Sequence, residues 1–150
     1  MIILTGLREF IIIDTGGIRF EEGDIFAREV KLQAELAIDE ADVIIFVLDA
    51  RQGLSPEDEQ VADILRRSGK PVVLAANKVE NFDRQLDYYE FYNLGLGEPI
   101  PVSAMHGLNT NELLDQVIAH FALPKDYEED DNAIKIAIIA PLAPTNKPDF

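Results

Sequence analysis

The fold is decided by the stretch Phe10-Ile11-Ile12-Ile13-Asp14-Thr15-Gly16-Gly17, an apolar run that ends in a carboxylate and two glycines. A β-branched run of this kind is typical of a strand that is buried on both faces, as in a parallel sheet, and the glycines halt it. The loops of such a sheet converge on helix N-termini at the carboxyl ends of the strands. We therefore expect a functional site at the edge where Asp14 lies.

On both sides of this strand, apolar strands alternate with amphipathic helices. This order predicts a mostly parallel α/β sheet that is flanked by helices and joined by right-handed crossovers. Ser55, Pro56 and Gly69 mark the N-cap, the first position and the end of one helix, and Asn109 with Glu112 predicts a capping box for another. The predicted strands are Met1–Leu4 (paired through a Thr5-Gly6 turn), Phe10–Ile13, Val43–Leu48, Val72–Ala75, Ile100–Val102 and Ile134–Ile139, and the helices cover about 23–40, 56–68, 83–92 and 109–121.

Composition excludes several classes of protein. The chain has 150 residues, 47% of them hydrophobic, which indicates one compact domain rather than a disordered chain. Its formal net charge of −15 argues against a direct grip on a nucleic-acid backbone by the whole domain. It has no cysteine, which excludes disulfides and zinc-thiolate sites and fits a reducing cytoplasm. No apolar stretch is long enough to span a membrane.

The composition changes after residue 123. Pro124 and the acidic run Glu128–Asp131 predict a solvated linker over 124–133. The strand Ile134–Ile139 follows, and the prolines of 140–150 exclude a regular helix or a central strand there. We therefore divide the chain into a main unit (1–123), a linker (124–133) and a last strand with an irregular end (134–150).

Polar residues follow three of the predicted strands. In Asp14-Thr15-Gly16-Gly17, the carboxylate suits a hydrated magnesium ion and a glycine N–H can approach a phosphate. In Asn77-Lys78-Val79-Glu80, the carboxylate can accept paired N–H donors from a planar heterocycle, while Asn77 ties neighbouring loops together. In Ser103-Ala104-Met105, small residues leave backbone N–H groups accessible to a ring carbonyl. Each group taken alone is also compatible with ordinary turn and cap chemistry.

The order of these groups, with their flanking residues, resembles a GTPase of the translation-factor class. The resemblance is closer to the first GTP-binding domain of the Der (EngA) family, bacterial tandem GTPases that act in assembly of the large ribosomal subunit. It covers most of residues 7–123 and the last strand. The segments that carry it are Arg8–Ile18 (REFIIIDTGGI), Leu94–Ala104 (LGLGEPIPVSA) and Ile134–Ile139 (IKIAII).

The resemblance implies a GTP-hydrolysing parent protein and a role for each matched residue. Asp14 would hold Mg²⁺ through water, and Gly17 would sense the γ-phosphate. Asn77, Lys78 and Glu80 would select guanine. The backbone of Ser103 and Ala104 would contact the base carbonyl, with Met105 in the same loop.

Two matched positions depart from the common GTPase pattern. Ile18 stands where many small GTPases have a glutamine that orients water, and an isoleucine side chain has no hydrogen-bonding group for this task. The resemblance suggests that hydrolysis needs a group from elsewhere, such as K⁺ or a partner. Glu80 stands where Asp is usual, and the added methylene moves the carboxylate outward by about one bond length, which predicts looser guanine selectivity.

The phosphate loop G-x-x-x-x-G-K-[ST] is absent from the 150 residues. The resemblance places the family's first strand, phosphate loop, first helix and first switch before this chain's matched region. Either the chain is truncated or it is part of a longer protein with further pieces. The missing strand would lie between the strands that end at Asp14 and Leu48, and its loss would leave unpaired backbone groups. We therefore expect Ile134–Ile139, from the same chain or from a neighbouring copy, to occupy that slot.

Three functions remain open at this stage. The first is a GTP-binding switch domain that acts, through regions outside this chain, with the large ribosomal subunit. The second is a non-catalytic interaction module that binds nucleotide weakly or not at all. A phosphatase with Asp14 as nucleophile is disfavoured, because its usual second aspartate would stand at Gly16.

The remaining polar and aromatic residues receive structural interpretations. His106 and His120 lack ligand partners at metal-binding spacing. Asp49 is expected to cap a turn before Gly53, although it could reach the nucleotide region. The aromatic residues between 88 and 92 are expected to pack a helix rather than to stack on bases.

Overall fold

The computed structural model describes residues 2–5, 8–14, 25–81, 88–121 and 134–140, and side chains for 11–13, 32–81, 88–121 and 134–140. Within these residues, six strands and three α-helices follow one another in the order that the sequence predicts. The helices are α1 (Ile25–Glu40), α2 (Pro56–Ser68) and α3 (Thr110–Ala119), with a short 3₁₀ helix over Tyr89–Leu94. The strands are β1 (Ile2–Thr5), β2 (Arg8–Asp14), β3 (Val43–Asp49), β4 (Val72–Asn77), β5 (Ile100–Pro101) and β6 (Ile134–Ile139).

All six strands form one sheet in the order β1-β2-β6-β3-β4-β5. β1 is antiparallel to β2, and every other neighbouring pair is parallel. The fold class predicted from the sequence is therefore confirmed, and so is the pairing of the first two strands. The carboxyl ends of β2 to β6 lie along one edge, because these five strands point the same way.

The last strand in the sequence lies at the centre of the sheet. β6 pairs with β2 on one side, with Asp14 opposite Ile138, and with β3 on the other, with Ile45 also opposite Ile138. The expectation that Ile134–Ile139 fills the slot between these two strands is confirmed. Asp42 fixes the entry of β6, because its N–H donates to the Lys135 carbonyl (2.7 Å) and its Oδ2 accepts from the Lys135 N–H (2.8 Å).

The core has two layers, one on each face of the sheet. Alternate residues of β3 face opposite sides, as the period of a strand requires. α1, α2 and the 3₁₀ helix cover one face, and α3 covers the other. The first layer includes Ala37, Phe46, Leu65, Leu74, Phe91 and Ile139, and the second includes Ile45, Val73, Ala75, Val117 and Ile136.

The predicted signals for α2 are confirmed. The Ser55 hydroxyl accepts from the Asp58 N–H (3.1 Å), and the Asp58 carboxylate accepts from the Ser55 N–H (2.8 Å). Pro56 occupies the first position, and Gly69 ends the helix at φ 66°. Burial raises the pKa of Asp58, and its two bonds with Ser55 act against that effect.

The predicted capping box of α3 is wrong. Asn109 precedes the helix as expected, but its backbone is left-handed (φ 59°) and its side chain makes no cap hydrogen bond. Instead, Asn109 Nδ2 donates to the Pro101 carbonyl at 2.8 Å. A tertiary bond to the edge strand β5 therefore replaces the local cap.

The predicted helical segment over 83–92 overlaps a 3₁₀ helix of the structure in its second half. The structure has the 3₁₀ helix Tyr89–Leu94 there, and residues 82–87 lie outside the described part of the chain. Phe91 and Tyr88 are buried, as expected for packing residues, whereas Tyr89 and Tyr92 are exposed. The predicted linker 124–133 and the irregular end 141–150 also lie outside the described residues, so the domain boundaries stay predictions.

The buried face of β6 provides a test of its central position. Ile139 is fully buried, so Ile139→Ala should leave a cavity and lower the free energy of unfolding by about 3 kcal/mol. Leu36, which is 55% exposed on α1, is the control, and Leu36→Ala should cost less than ~0.5 kcal/mol. Urea unfolding followed by circular dichroism measures both. Similar losses for the two variants would contradict burial of β6 in the sheet.

Gly53 provides a second test, because it has a positive φ (74°) and a Cβ there would lie 2.6 Å from Glu90 Oε1. That oxygen accepts from the Leu54 N–H at 3.0 Å. Gly69→Ala, with the same backbone region but open space, should cost about 1 kcal/mol of unfolding free energy. Gly53→Ala should cost about 2 kcal/mol, because the methyl group also displaces Glu90 from Leu54. Equal losses would show that Glu90 moves at no cost.

Candidate functional site

The candidate site lies at the edge where the five parallel strands end. Asp49, the last residue of β3, is directly opposite Asn77, the last residue of β4. Asp14 ends β2 on the same edge, beyond β6. Neighbouring strands are ~4.8 Å apart, so Asp14 and Asn77 are separated by roughly 14 Å across the strands. In the register Asp14 is level with Val73, so Asn77 also lies four residues further along the strand direction. The polar groups that the sequence placed at strand ends therefore share one side of the molecule.

Asn77 joins two of the three predicted loops. Its side-chain Oδ1 accepts from the Ala104 N–H at 3.0 Å, and its carbonyl accepts from the Ala50 N–H at 2.9 Å. Because an N–H can only donate, this contact fixes which end of the amide faces Ala104. Asn77 therefore links its own loop to the loop after β5 and to the turn after β3. The sequence predicted that Asn77 connects neighbouring loops in this way.

Lys78 has a left-handed backbone (φ 70°), which is unusual for a residue with a side chain. The next N–H, that of Val79, donates to the Val102 carbonyl at 3.1 Å, and Val79 is buried. The backbone thus turns at Lys78 so that Val79 enters the core and Glu80 returns to the surface. Strain of this kind is often found where a loop must present a side chain to a ligand.

The Lys78 ammonium is paired with Asp49, the two atoms Nζ and Oδ2 being 2.6 Å apart. Asp49 Oδ1 also accepts from the Arg51 N–H at 2.9 Å, so Asp49 does cap the turn before Gly53. Burial acts to raise the pKa of Asp49, but the hydrogen bonds from Lys78 and Arg51 outweigh it, and the pKa lies below its ordinary value. The carboxylate is therefore ionised at neutral pH.

Glu80 presents its carboxylate at the surface between two basic side chains. Arg51 Nη2 donates to Glu80 Oε1, and His106 Nε2 lies 4.0 Å from the same oxygen. The side chains of Arg51 and Glu80 are 62% and 57% exposed, so the pair is open to solvent. The loops after β3, β4 and β5 thus contribute one charged or ionisable side chain each to this cluster, namely Arg51, Glu80 and His106.

The loop after β5 is a tight turn closed by paired backbone bonds. Ser103 and Leu108 exchange N–H to carbonyl bonds in both directions (3.1 and 3.0 Å). The N–H groups of Ser103 and Ala104, which the sequence assigned to a base carbonyl, therefore already have acceptors in this chain. Among the described residues no acceptor contacts the Met105 N–H, and the Met105 side chain is 89% exposed.

The phosphate end of the predicted site is described only in part. The backbone of Asp14 continues β2 to the sheet edge, and its side chain lies outside the described set. Gly17 also lies outside it. Within the described part of the chain, no group of three or more His, Asp or Glu side chains is arranged to hold a metal ion. No described helix is long and apolar enough to cross a membrane.

The site offers the exposed carboxylate of Glu80, a lysine side chain (Lys78) that is paired with Asp49, and the backbone turn closed by Ser103 and Leu108. Groups of these kinds can bind a planar nitrogen heterocycle. The family model described as "50S ribosome-binding GTPase" matches residues 1–78. The chain belongs to this GTPase family.

Related proteins are similar to this chain over most of the chain's own length. GTPase Der of Desulfitobacterium hafniense (strain DSM 10664 / DCB-2) is 56% identical over 135 residues, which are 88% of this chain and 30% of the relative. GTPase Der of Lachnospira eligens is 52% identical over 131 residues, or 87% of this chain and 30% of the relative. This chain therefore spans about a third of the length of these relatives.

The fold of the family member is also similar to that of a solved GTPase. The crystal structure of Era in complex with MgGDPNP and nucleotides 1506–1542 of 16S ribosomal RNA aligns with a TM-score of 0.61 at 25% identity. The alignment covers 75% of this chain and 40% of the Era chain. The resemblance inferred from the sequence and the P-loop GTPase-like fold are thus confirmed.

Arg51 is the site residue that sequence reasoning missed. It is one of several basic residues on a surface helix or turn, and nothing in its local pattern distinguishes it. The available signal was its position two residues after the strand-ending Asp49, in a loop next to that of Glu80. That proximity follows from the β3–β4 register, which the sequence does not state.

The depressed pKa of Asp49 predicts a pH-dependent contribution to stability. The ionised carboxylate contributes fully above its ordinary value of 3.8, and the contribution is lost as the pH falls through the lower folded value. Asp49→Asn should therefore lower the free energy of unfolding by about 1 kcal/mol at neutral pH, and the difference from wild type should vanish in acid. Urea unfolding across this pH range measures it. Asp63→Asn on α2 is the exposed control, and a loss for Asp49→Asn that is equal at every pH would contradict the assignment.

Proposed function

We propose that this chain is the guanine-recognising part of a GTP-hydrolysing switch protein that acts in assembly of the large ribosomal subunit. The observation that carries the proposal is the bond from the Ala104 N–H to Asn77 Oδ1, which holds the Asn77–Glu80 loop against the Ser103–Met105 turn. Membership of the GTPase family supports the same ligand class. The bound molecule would be GTP or GDP.

Guanine offers two adjacent donors, its N1–H and its 2-amino group, on the edge that a carboxylate can meet. Glu80 is the proposed acceptor, since its carboxylate is exposed at the mouth of the loop. The stem of Lys78 would cover one face of the ring. The Met105 N–H is the proposed donor to the base carbonyl, with the Ala104 N–H able to share its hydrogen between Asn77 and the base.

Magnesium fits the proposed site as an ion held chiefly by water and phosphate. Mg²⁺ keeps several waters and uses one or two protein carboxylates. Asp14 supplies one such carboxylate at the end of β2, on the same edge as the base-binding loops. When bound, Mg²⁺ would neutralise charge on the β- and γ-phosphates. Gly17 is the proposed contact of the γ-phosphate.

Hydrolysis by the whole protein would require groups that this chain does not carry. The sequence has no phosphate loop and has Ile18 where a water-orienting side chain could stand. A potassium ion or a partner is the proposed source of the activating group. The ribosomal partner is proposed from the family description, with contact through other regions of the parent protein, and the proposed location is the cytoplasm.

The second candidate is an interaction module that keeps the fold and has little nucleotide affinity. The absence of a phosphate loop favours it, because backbone N–H groups and a lysine at that loop supply most phosphate binding in P-loop proteins. In this alternative the Asn77–Glu80 loop is structural.

A titration with fluorescent GDP separates the two candidates. If the guanine site is retained, we expect a dissociation constant in the micromolar range, displacement by unlabelled GDP and no displacement by equimolar ATP. Glu80→Ala should weaken GDP at least about tenfold, because guanine then loses its paired acceptor.

Glu40→Ala is the matched control for this titration, since Glu40 is an exposed glutamate at the end of α1, just before β3 begins and thus at the opposite end of the strands. Its affinity for GDP should equal that of the wild type. No GDP binding by the wild type, or displacement by ATP as strong as by GDP, would favour the interaction module.

A further inference from the structure

The Glu80 carboxylate, which is the proposed acceptor for guanine, already binds the guanidinium of Arg51, a residue of a different loop. Arg51 Nη2 donates to Glu80 Oε1 across 29 positions of sequence. The two residues are joined to a second pair, because the Asp49 carboxylate accepts from both the Arg51 N–H (2.9 Å) and Lys78 Nζ (2.6 Å). Acids and bases therefore alternate between the turn after β3 and the loop after β4.

The backbone of Arg51 is fixed more firmly than the Glu80 side chain. The turn that carries Arg51 is closed by the Gln52 and Gly53 N–H groups, which both donate to the Asp49 carbonyl at 3.2 Å. It is also tied to β4, because the Ala50 N–H donates to Asn77. The Glu80 side chain has three rotatable bonds and is more than half exposed, so fixing it costs rotamer entropy.

The geometry of a carboxylate allows Arg51 and a purine to bind at once. Two carboxylate oxygens offer about four lone-pair sites. Arg51 occupies one site on Oε1, which leaves Oε2 and the second site of Oε1 for two further donors. A guanine base needs two acceptor sites, so Arg51 does not have to leave.

We infer that Arg51 is a positioning residue for base recognition, which holds the long Glu80 side chain so that its carboxylate meets the N1–H and the 2-amino group together. The arginine compensates for the extra methylene of Glu80 by joining its carboxylate to the hydrogen-bonded turn after β3. This inference rests on the proposed function. It adds a specificity-determining residue outside the three loops that the sequence identified.

The test compares GDP with IDP, whose hypoxanthine base lacks the 2-amino group, in competition against fluorescent GDP. Arg51→Ala should weaken GDP about two- to fivefold, the range of an exposed ion pair, and should weaken IDP less. The preference for GDP over IDP should therefore fall. Arg51→Lys should restore part of the preference, and Arg67→Ala, on the exposed side of α2, should match the wild type.

A second measurement does not depend on nucleotide. Three-bond NMR couplings at Glu80 in the free chain should indicate one dominant rotamer in the wild type and averaging in Arg51→Ala. Averaged couplings in the wild type would overturn the inference, because Arg51 would then not hold the carboxylate.

The results distinguish failure of the inference from failure of the proposed function. An unchanged GDP-over-IDP preference in Arg51→Ala overturns the inference alone. Tighter GDP binding in that variant also overturns it, since Arg51 would then compete with the base. No GDP binding by the wild type overturns the proposed function, and with it the recognition role of Arg51.

Discussion

The backbone hydrogen bonds of β6 hold the two parts of the sheet together. Within the described residues, β2 and β3 do not pair with each other, and β6 pairs in parallel with both. Its residues Ile136, Ala137 and Ile139 are buried on opposite faces, so β6 also contributes to both core layers. The sheet edge that carries the candidate site would divide into two separate pieces without it.

The register of the strands, once fixed, determines which side chains meet at that edge. Asp49 and Asn77 lie opposite each other, and each one binds groups from the other's loop: Asp49 pairs with Lys78, and Asn77 accepts from Ala50. Asn77 then reaches one strand further to Ala104. A slip of one residue would turn all these side chains to the other face of the sheet. The site is thus a direct product of strand pairing.

Charge is distributed unevenly in this acidic chain. The formal net charge is −15, yet Lys78 and Arg51 lie together at the site, each beside a carboxylate. Local pairing of this kind keeps Asp49 ionised and leaves the Glu80 carboxylate in a region that is not purely negative. A polyanionic nucleotide would meet less repulsion here than at the acidic surface in general.

Local signals in the sequence determined much of the structure. Each of these signals depends on residues within one strand or one helical turn. The structure confirms the strands predicted from apolar runs, and it confirms the start of α2 at Ser55–Pro56 and its end at Gly69. The matched segments likewise determined the family. Only the tertiary structure decided the contacts between residues that are distant along the chain: Asn109 bonds Pro101 instead of capping α3, and Arg51 meets Glu80. The physical reason is that a cap or a strand end depends on its immediate neighbours, whereas these bonds depend on strand register and crossover geometry, which arise only when the whole sheet assembles.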